Sequence, residues 1–300
     1  MKRLSIVVVV ILFLANRHLY SQIENGLAAL QIGVGARAAA MGEAFNAVAD
    51  DAASAFWNPA GQVWLPKRQA HFTHTEWFQD VQQNAVSVVF PHNKIAFGIH
   101  ALLNSVSGIE QRIYPTEEPL STFSAHDFIL GLTVAKKFAD KLAIGCNLRY
   151  LNEKIYIESA SGFTIDAGLQ IRAPVKGLTA GMSLQHFGAT GKLKTEKIRL
   201  PKTARLGVTF QLPSSWVKMN WLFAADYVHI FDQGDACNFG TELRPWPLLA
   251  LRLGYQAGYD THDISAGFGV KLGSFLLDYA YVPFRQDLGT SHRFSFSAFF

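Results

Sequence analysis

The chain has 300 residues, 49% of them hydrophobic and only 17% charged, with a formal net charge of +4 and two cysteines. Its Lys and Arg residues form no cluster, so the footprint of a nucleic-acid binder is missing. Cys146 and Cys237 stand far apart within strand-like patterns, so a disulfide framework is not indicated.

In chain order, a basic start (Met1, Lys2, Arg3) is followed by an apolar run over 4–15 and a more polar stretch to Ser21. That layout is a secretory signal peptide, residues 1–21, because an apolar run of this length is too short to span a bilayer. The mature chain is therefore expected outside the cytoplasm. No later stretch is apolar for long enough to be a transmembrane helix, and an exported apolar chain of this kind suggests strands.

Residues 22–67 form the next unit. Gly33-x-Gly35-x-x-Ala38 has the outline of a phosphate-cradling loop, but no buried strand precedes it and no alternation of strands and helices follows. Alanine is frequent from 38 to 56, and Met41, Phe45, Val48 and Phe56 recur at roughly helical spacing, which predicts a helical segment ended by Asn58-Pro59.

From about Gln69 onward the residues alternate with a period of two. In 249–259, Leu249, Leu251, Leu253, Tyr255, Ala257 and Tyr259 share one face, and Ala250, Arg252, Gly254, Gln256 and Gly258 share the other. A sandwich exposed to water would place Lys, Glu and Thr on its polar face. Small residues with single charges instead suit a confined interior, and Leu, Phe and Tyr suit a lipid-facing exterior. The segments fall near 69–78, 82–91, 93–106, 124–137, 141–155, 161–173, 177–188, 202–211, 216–230, 236–244, 248–259, 262–272, 273–282 and 291–300. The expected fold is all-β, a roughly 14-stranded antiparallel transmembrane barrel over 68–300 in the bacterial outer membrane, in contact with its lipid. A barrel this wide is not filled by its own side chains, so residues 22–67 are expected to plug it as a helical hatch. Arg37, Glu43, Asp50 and Asp51 are then expected to pair with inward charges such as Arg149, Arg205 and Arg252, with Glu242 a further lumen charge. The last strand, from Arg293, places Phe294, Phe296, Ala298 and the terminal Phe300 on one face. Such an aromatic end is similar to the assembly signal of bacterial outer-membrane proteins.

Residues 35–61, GARAAAMGEAFNAVADDAASAFWNPAG, resemble the N-terminal signature of the PorV/PorQ family, relatives of the FadL long-chain fatty-acid transporters. The match rests on Gly35, Arg37, Met41, Gly42, Asp50, Asp51, Asn58, Pro59 and Gly61, and later stretches at 239–243, 251–255 and 289–295 also look like the family's late strands. The resemblance implies a 14-stranded barrel with an N-terminal hatch. It also implies one of two functions. One is a type IX secretion system component that binds secretion-system proteins or cargo signal domains; the other is a FadL-like carrier of fatty acids or other hydrophobic small molecules. The signature favours partner binding, with 105–124 and 283–290 as non-alternating loops that make the contacts. The chain is shorter than PorV proteins, so large extracellular loops are not expected.

Catalytic groupings are thin. His71 and His74 are three apart on a strand and point to opposite sides, as do His292 and Ser295, so neither a shared metal nor a nucleophile with its base is indicated. No enzyme, cofactor or metal site is expected.

Overall fold

The computed structural model describes residues 26–115, 117–213 and 219–300. Fourteen strands close into one antiparallel barrel: β1 (Gln69–Glu76), β2 (Val81–His92), β3 (Ile95–Gln111), β4 (Ser121–Ala139), β5 (Leu142–Ile155), β6 (Glu158–Arg172), β7 (Leu178–Thr190), β10 (Thr203–Gln211), β11 (Asn220–Ile230), β12 (Gly234–Trp246), β13 (Leu249–Ala257), β14 (Ile264–Leu272), β15 (Phe275–Pro283) and β16 (Thr290–Phe299). Two short strands, β8 (Lys192–Leu193) and β9 (Glu196–Lys197), make a hairpin between β7 and β10. Each strand pairs with its neighbour, and β1 pairs with β16 from Gln69–Phe299 to Glu76–His292. Closure leaves no free strand edge, which a bilayer demands because its core supplies no water to unpaired backbone groups.

Alternation decides which residues meet lipid. On β5, Ile144 and Leu148 are exposed on the outside, whereas Asn147 and Arg149 are buried inside; on β13, Leu251, Leu253 and Tyr255 face out and Arg252 and Gln256 face in. An apolar outside and a polar inside invert the soluble arrangement and identify a barrel of the outer membrane. Short turns such as 93–94, 140–141 and 273–274 lie at the end that carries Phe299, and the longer loops 112–120 and 191–202 lie at the other. The first end therefore faces the periplasm and the second the exterior.

The wall is uneven in height. Strands β3 and β4 have 17 and 19 residues, whereas β13, β14 and β15 have 9 each, close to the 9–11 that a bilayer needs. The expected loop over 105–124 is corrected here. β3 runs on to Gln111 and β4 starts at Ser121, so most of that segment is strand, and 112–120 remains as loop. A bulge between Val106 and Ile109, with Gly108 at φ 73°, breaks the period and hides the strand from a reading by alternation. Of the segment expected from 216, the strand begins at Asn220, and 214–218 lie outside the described residues. The signal peptide, residues 1–21, lies outside them too.

Residues from Leu27 to Leu65 pack against the inner face of the barrel. Ala38, Met41, Ala44, Phe45, Val48 and Trp57 form one apolar cluster against Ala224 of β11. Leu27, Ala29 and Val34 form another with Leu102, Ile129 and Leu151 of the wall. The continuous helix expected over 38–56 is absent. The segment has one short helix, α1 (Ala36–Ala40), and three 3₁₀ turns at Ala28–Leu30, Ala52–Phe56 and Pro59–Trp64. Gly42 and Glu43 both take left-handed backbone angles, φ 60° and 59°, which end α1. Asn58-Pro59 opens a 3₁₀ turn instead of closing a helix, with the Asn58 side chain accepting from Ala60 N at 3.2 Å.

Candidate functional site: the hatch, its seat and the luminal pocket

Helix propensity loses in the hatch because the wall supplies the hydrogen bonds that a helix would otherwise make for itself. Asp226 Oδ2 accepts from Phe45 N at 2.9 Å and Asn46 N at 2.8 Å. Ser265 accepts from Gly42 N at 3.1 Å and Ser295 from Ala36 N at 2.8 Å. Gln170 donates to Ala47 O at 3.0 Å and Ala49 O at 3.2 Å, and Gln69 Oε1 accepts from Ala52 N at 2.9 Å.

Glycines in the wall let the hatch come this close. Gly145 on β5 lies beneath Pro59 and Ala60, Gly168 on β6 beneath Asn58, Gly181 on β7 beneath Asn46 and Ala47, and Gly240 on β12 beneath Met41. Gly254 on β13 touches Gly42 backbone to backbone, so a side chain at either position would overlap the other chain. These residues are the inward-facing small residues of the alternating pattern, and together they form the seat of the hatch. Gly61 packs tightly on the Ala49 carbonyl and turns the segment back on itself.

Charged groups lock the seat. Arg37 donates through Nε to Glu242 Oε2 at 2.9 Å and through Nη1 to Asp50 Oδ1 at 2.5 Å and Asp51 Oδ2 at 3.4 Å. Glu242 also accepts from Arg252 at 2.7 Å and Arg244 at 2.8 Å, and Arg252 reaches Asp278 at 2.6 Å. Burial by itself would lower the pKa of Arg37, but Asp50, Glu242 and Asp51 hold it well above its ordinary value. Burial pushes the Asp51 carboxyl up to about 6, against the pull of Arg37, and its Oδ1 has no hydrogen-bond partner.

Three expected pairings are corrected. Arg252 meets the wall acids Glu242 and Asp278 and, among the described residues, no hatch acid. Arg149 meets no hatch acid: it pairs with Asp166 of the next strand at 3.0 Å and donates to the hatch carbonyl Ala55 O at 2.7 Å. Arg205 donates to Gln185 at 3.2 Å and lies 5.1 Å over the Trp57 ring. For these two the reason is height along the strands. Asp50 and Asp51 sit toward the periplasmic end beside Gln69, whereas Arg149 and Arg205 lie nearer the exterior. Glu43 faces Arg293 of β16 at 3.5 Å, and Arg293 also donates to Gly33 O at 2.6 Å. Arg293, Asp166 and Asp278 were not singled out in the sequence, although their inward parity on alternating strands marks them.

Phe300 N donates to Arg68 O at 3.1 Å, and its ring is exposed on the lipid side with Phe294 and Phe296. His71 points inward to Ser297 and Thr73, and His74 bonds Asn84. Among the described residues no group of three or more His, Cys, Asp or Glu side chains is placed to hold a metal ion.

At the exterior end, three loops bring aromatic rings together. Trp77 lies 4.8 Å from Phe284 and 6.1 Å from His262, and Arg293 stacks 4.9 Å over Trp77. Burial lowers the pKa of His262 and pushes Tyr259 up to about 12, which keeps both rings neutral. Beneath this end is a luminal pocket whose apolar wall includes Leu30, Val34, Phe56, Leu102 and Ile129, with Arg149, Gln185, His186 and Arg205 on its polar side.

A closed 14-stranded barrel with residues 27–65 packed on its inner wall defines the class: an outer-membrane β-barrel. Similar proteins place it further. A family model described as Uncharacterised protein family (UPF0164) matches residues 19–149. No curated protein matches the chain in sequence. Among solved structures, the CymD monoaromatic hydrocarbon channel is 12% identical with a TM-score of 0.64, over 92% of this chain and 99% of that one. The Pseudomonas putida toluene transporter TodX is 13% identical at 0.64, over 89% and 96%. A FadL homologue from Pseudomonas aeruginosa is 13% identical at 0.56, over 87% and 96%. At these identities the likeness is one of fold alone.

Proposed function

We propose that the protein passes small hydrophobic molecules across the outer membrane, with the hatch as its gate. The luminal pocket carries this reading, because it sets an apolar wall beside a few polar groups, the usual make-up of a small-molecule site. The pocket leaves only about 30 Å³ for solvent, room for a water or two. Passage therefore requires the hatch to shift. The names of two similar structures, a monoaromatic hydrocarbon channel and a toluene transporter, support the reading. The carrier thus takes precedence over the partner-binding role that the N-terminal signature favoured.

A second reading, a type IX secretion component binding secreted or surface-attachment partners, draws on that signature, which lies within the span matched by the family model. A deletion strain separates the two. The carrier reading expects slower uptake of hydrophobic probes such as toluene or oleate, restored by the wild-type gene, with an unchanged surface-protein profile. Normal uptake with lost surface proteins would overturn it.

A further inference from the structure

The periplasmic mouth is strongly basic. Lys137 continues the inward series of Thr133 and Ala135, Arg172 that of Gln170, and Arg244 that of Glu242, so all three project toward the opening and not toward lipid. Lys271 lies at the same rim over Phe299, and Lys67 and Arg68 are exposed on the link between hatch and β1. Arg172 and Lys137 both stack on the Trp64 ring, at 3.8 and 5.3 Å, which holds two cations at the hatch exit. Among the described residues no carboxylate pairs with Lys67, Arg68, Arg172 or Lys271. The described acidic side chains here are the buried Glu242 and Asp278, each paired with Arg252, Asp51 beside Arg37, the almost wholly exposed Asp140, and Asp50.

Asp50 shows what this mouth recognises. Its side chain is half exposed at the rim, yet it is held at 2.5 Å by the buried Arg37 and lies within electrostatic reach of Arg172. A carboxylate from outside the chain finds the same field with several cations unpaired. Lipid headgroups are a poorer fit, because they lie around the barrel's circumference, whereas Lys137, Arg172, Arg244 and Lys271 point to its axis.

We infer that the periplasmic mouth is a docking surface for a carboxylate-rich segment of a periplasmic protein. Docking is driven by charge complementarity and is therefore sensitive to salt. It places the partner beside the Arg37–Asp50 contact, where it competes for the latch of the hatch. The inference is independent of what the lumen carries.

The test uses the full chain in phosphatidylcholine nanodiscs and a fluorescein-labelled polyglutamate peptide, with binding read by anisotropy. Saturable binding that weakens with salt is expected. The triple variant Lys67→Gln, Arg68→Gln, Lys271→Gln should bind about tenfold more weakly. These side chains are all exposed, so the barrel still forms, as heat-modifiable migration verifies. Lys192→Gln, Lys194→Gln, Lys197→Gln at the exterior hairpin should bind as the wild type does. Equal weakening by both triples, or no saturable binding, overturns the inference. So does a result in which the first triple loses phosphatidylglycerol from mixed-lipid nanodiscs but keeps peptide binding, which would assign the cations to headgroups.

Discussion

Arg37 on the hatch and Glu242 on β12 meet through two parallel hydrogen bonds, Nε to Oε2 at 2.9 Å and Nη2 to Oε1 at 3.3 Å. The pair crosses the hatch–wall boundary, and both residues are buried. Removing Arg37 leaves Glu242 with Arg252 and Arg244 but takes the cation from Asp51, so the cost is expected below the roughly 3–5 kcal/mol of a fully stranded buried charge. Arg37→Met is therefore expected to loosen the hatch, leaving Asp50 and Asp51 without their cation, while the strand ladder stays intact. Limited proteolysis within 33–61 and single-channel conductance should both rise. Arg37→Lys should fall between, since it keeps the charge and loses the two-point geometry. Unchanged conductance in Arg37→Met would remove the latch from the account.

The glycine seat makes a second, independent prediction. Gly254→Val on β13 drives a branched side chain into Gly42, and Gly145→Val on β5 drives one into Pro59 and Ala60. Each is expected to unseat the hatch locally, at about 1–3 kcal/mol, the usual cost of overpacking. Ala266→Val, on the lipid side of β14, is the control. Conductance of the two glycine variants should exceed that of the control; equal values would show that the hatch does not rest there.

The barrel was legible because lipid enforces parity along the whole wall. Leu251, Leu253 and Tyr255 announce the outside of β13, and every expected segment has its strand. The hairpin β8–β9 was not legible, since strands of two residues have no period to read. The hatch misled for the opposite reason. Its alanines favour a helix locally, but Asp226, Ser265 and Gln170 satisfy its backbone from strands far away in sequence, and no local pattern announces that. Parity likewise showed that Arg149 faces inward. It did not show that register would place Asp166 beside it instead of a hatch acid.

Asp51 predicts a pH dependence. Burial raises its pKa to about 6, and the charges of Asp50 and Asp278 act in the same direction while Arg37 opposes them. A carboxyl raised above its ordinary value, about 4, contributes fully to hatch docking below that value, and the contribution is lost as pH rises through about 6. Hatch openings should therefore be more frequent at neutral pH than at acid pH. Asp51→Asn should flatten the profile, and a profile that the substitution leaves unaltered would exclude Asp51 as its source.

Assembly is expected to depend on the last strand. Phe300 extends the outward series of Phe294 and Phe296, beside the closing pair of β1 and β16. The wild-type protein should fractionate with the outer membrane and migrate faster when unheated, because the closed ladder resists detergent. Deletion of Phe299 and Phe300 should lower the inserted amount without stopping synthesis. Full insertion of the truncated chain would show that the signal lies elsewhere.

The hatch itself is expected to be the block in the lumen. Several of the wall's inner charges pair within the wall, Arg149 with Asp166 and Arg252 with both Glu242 and Asp278, whereas Arg293 loses Glu43 when the hatch is removed and turns to the water that replaces it. Fourteen strands enclose more space than their own side chains fill. Deletion of 33–61 should thus leave a heat-modifiable barrel that conducts ions freely in planar bilayers, where the full chain conducts little. Heat-modifiable migration of the deletion protein comes first, so that a failure to fold is not mistaken for a closed pore. With folding established, equal conductance of the two proteins would mean that the lumen is closed by something other than residues 33–61.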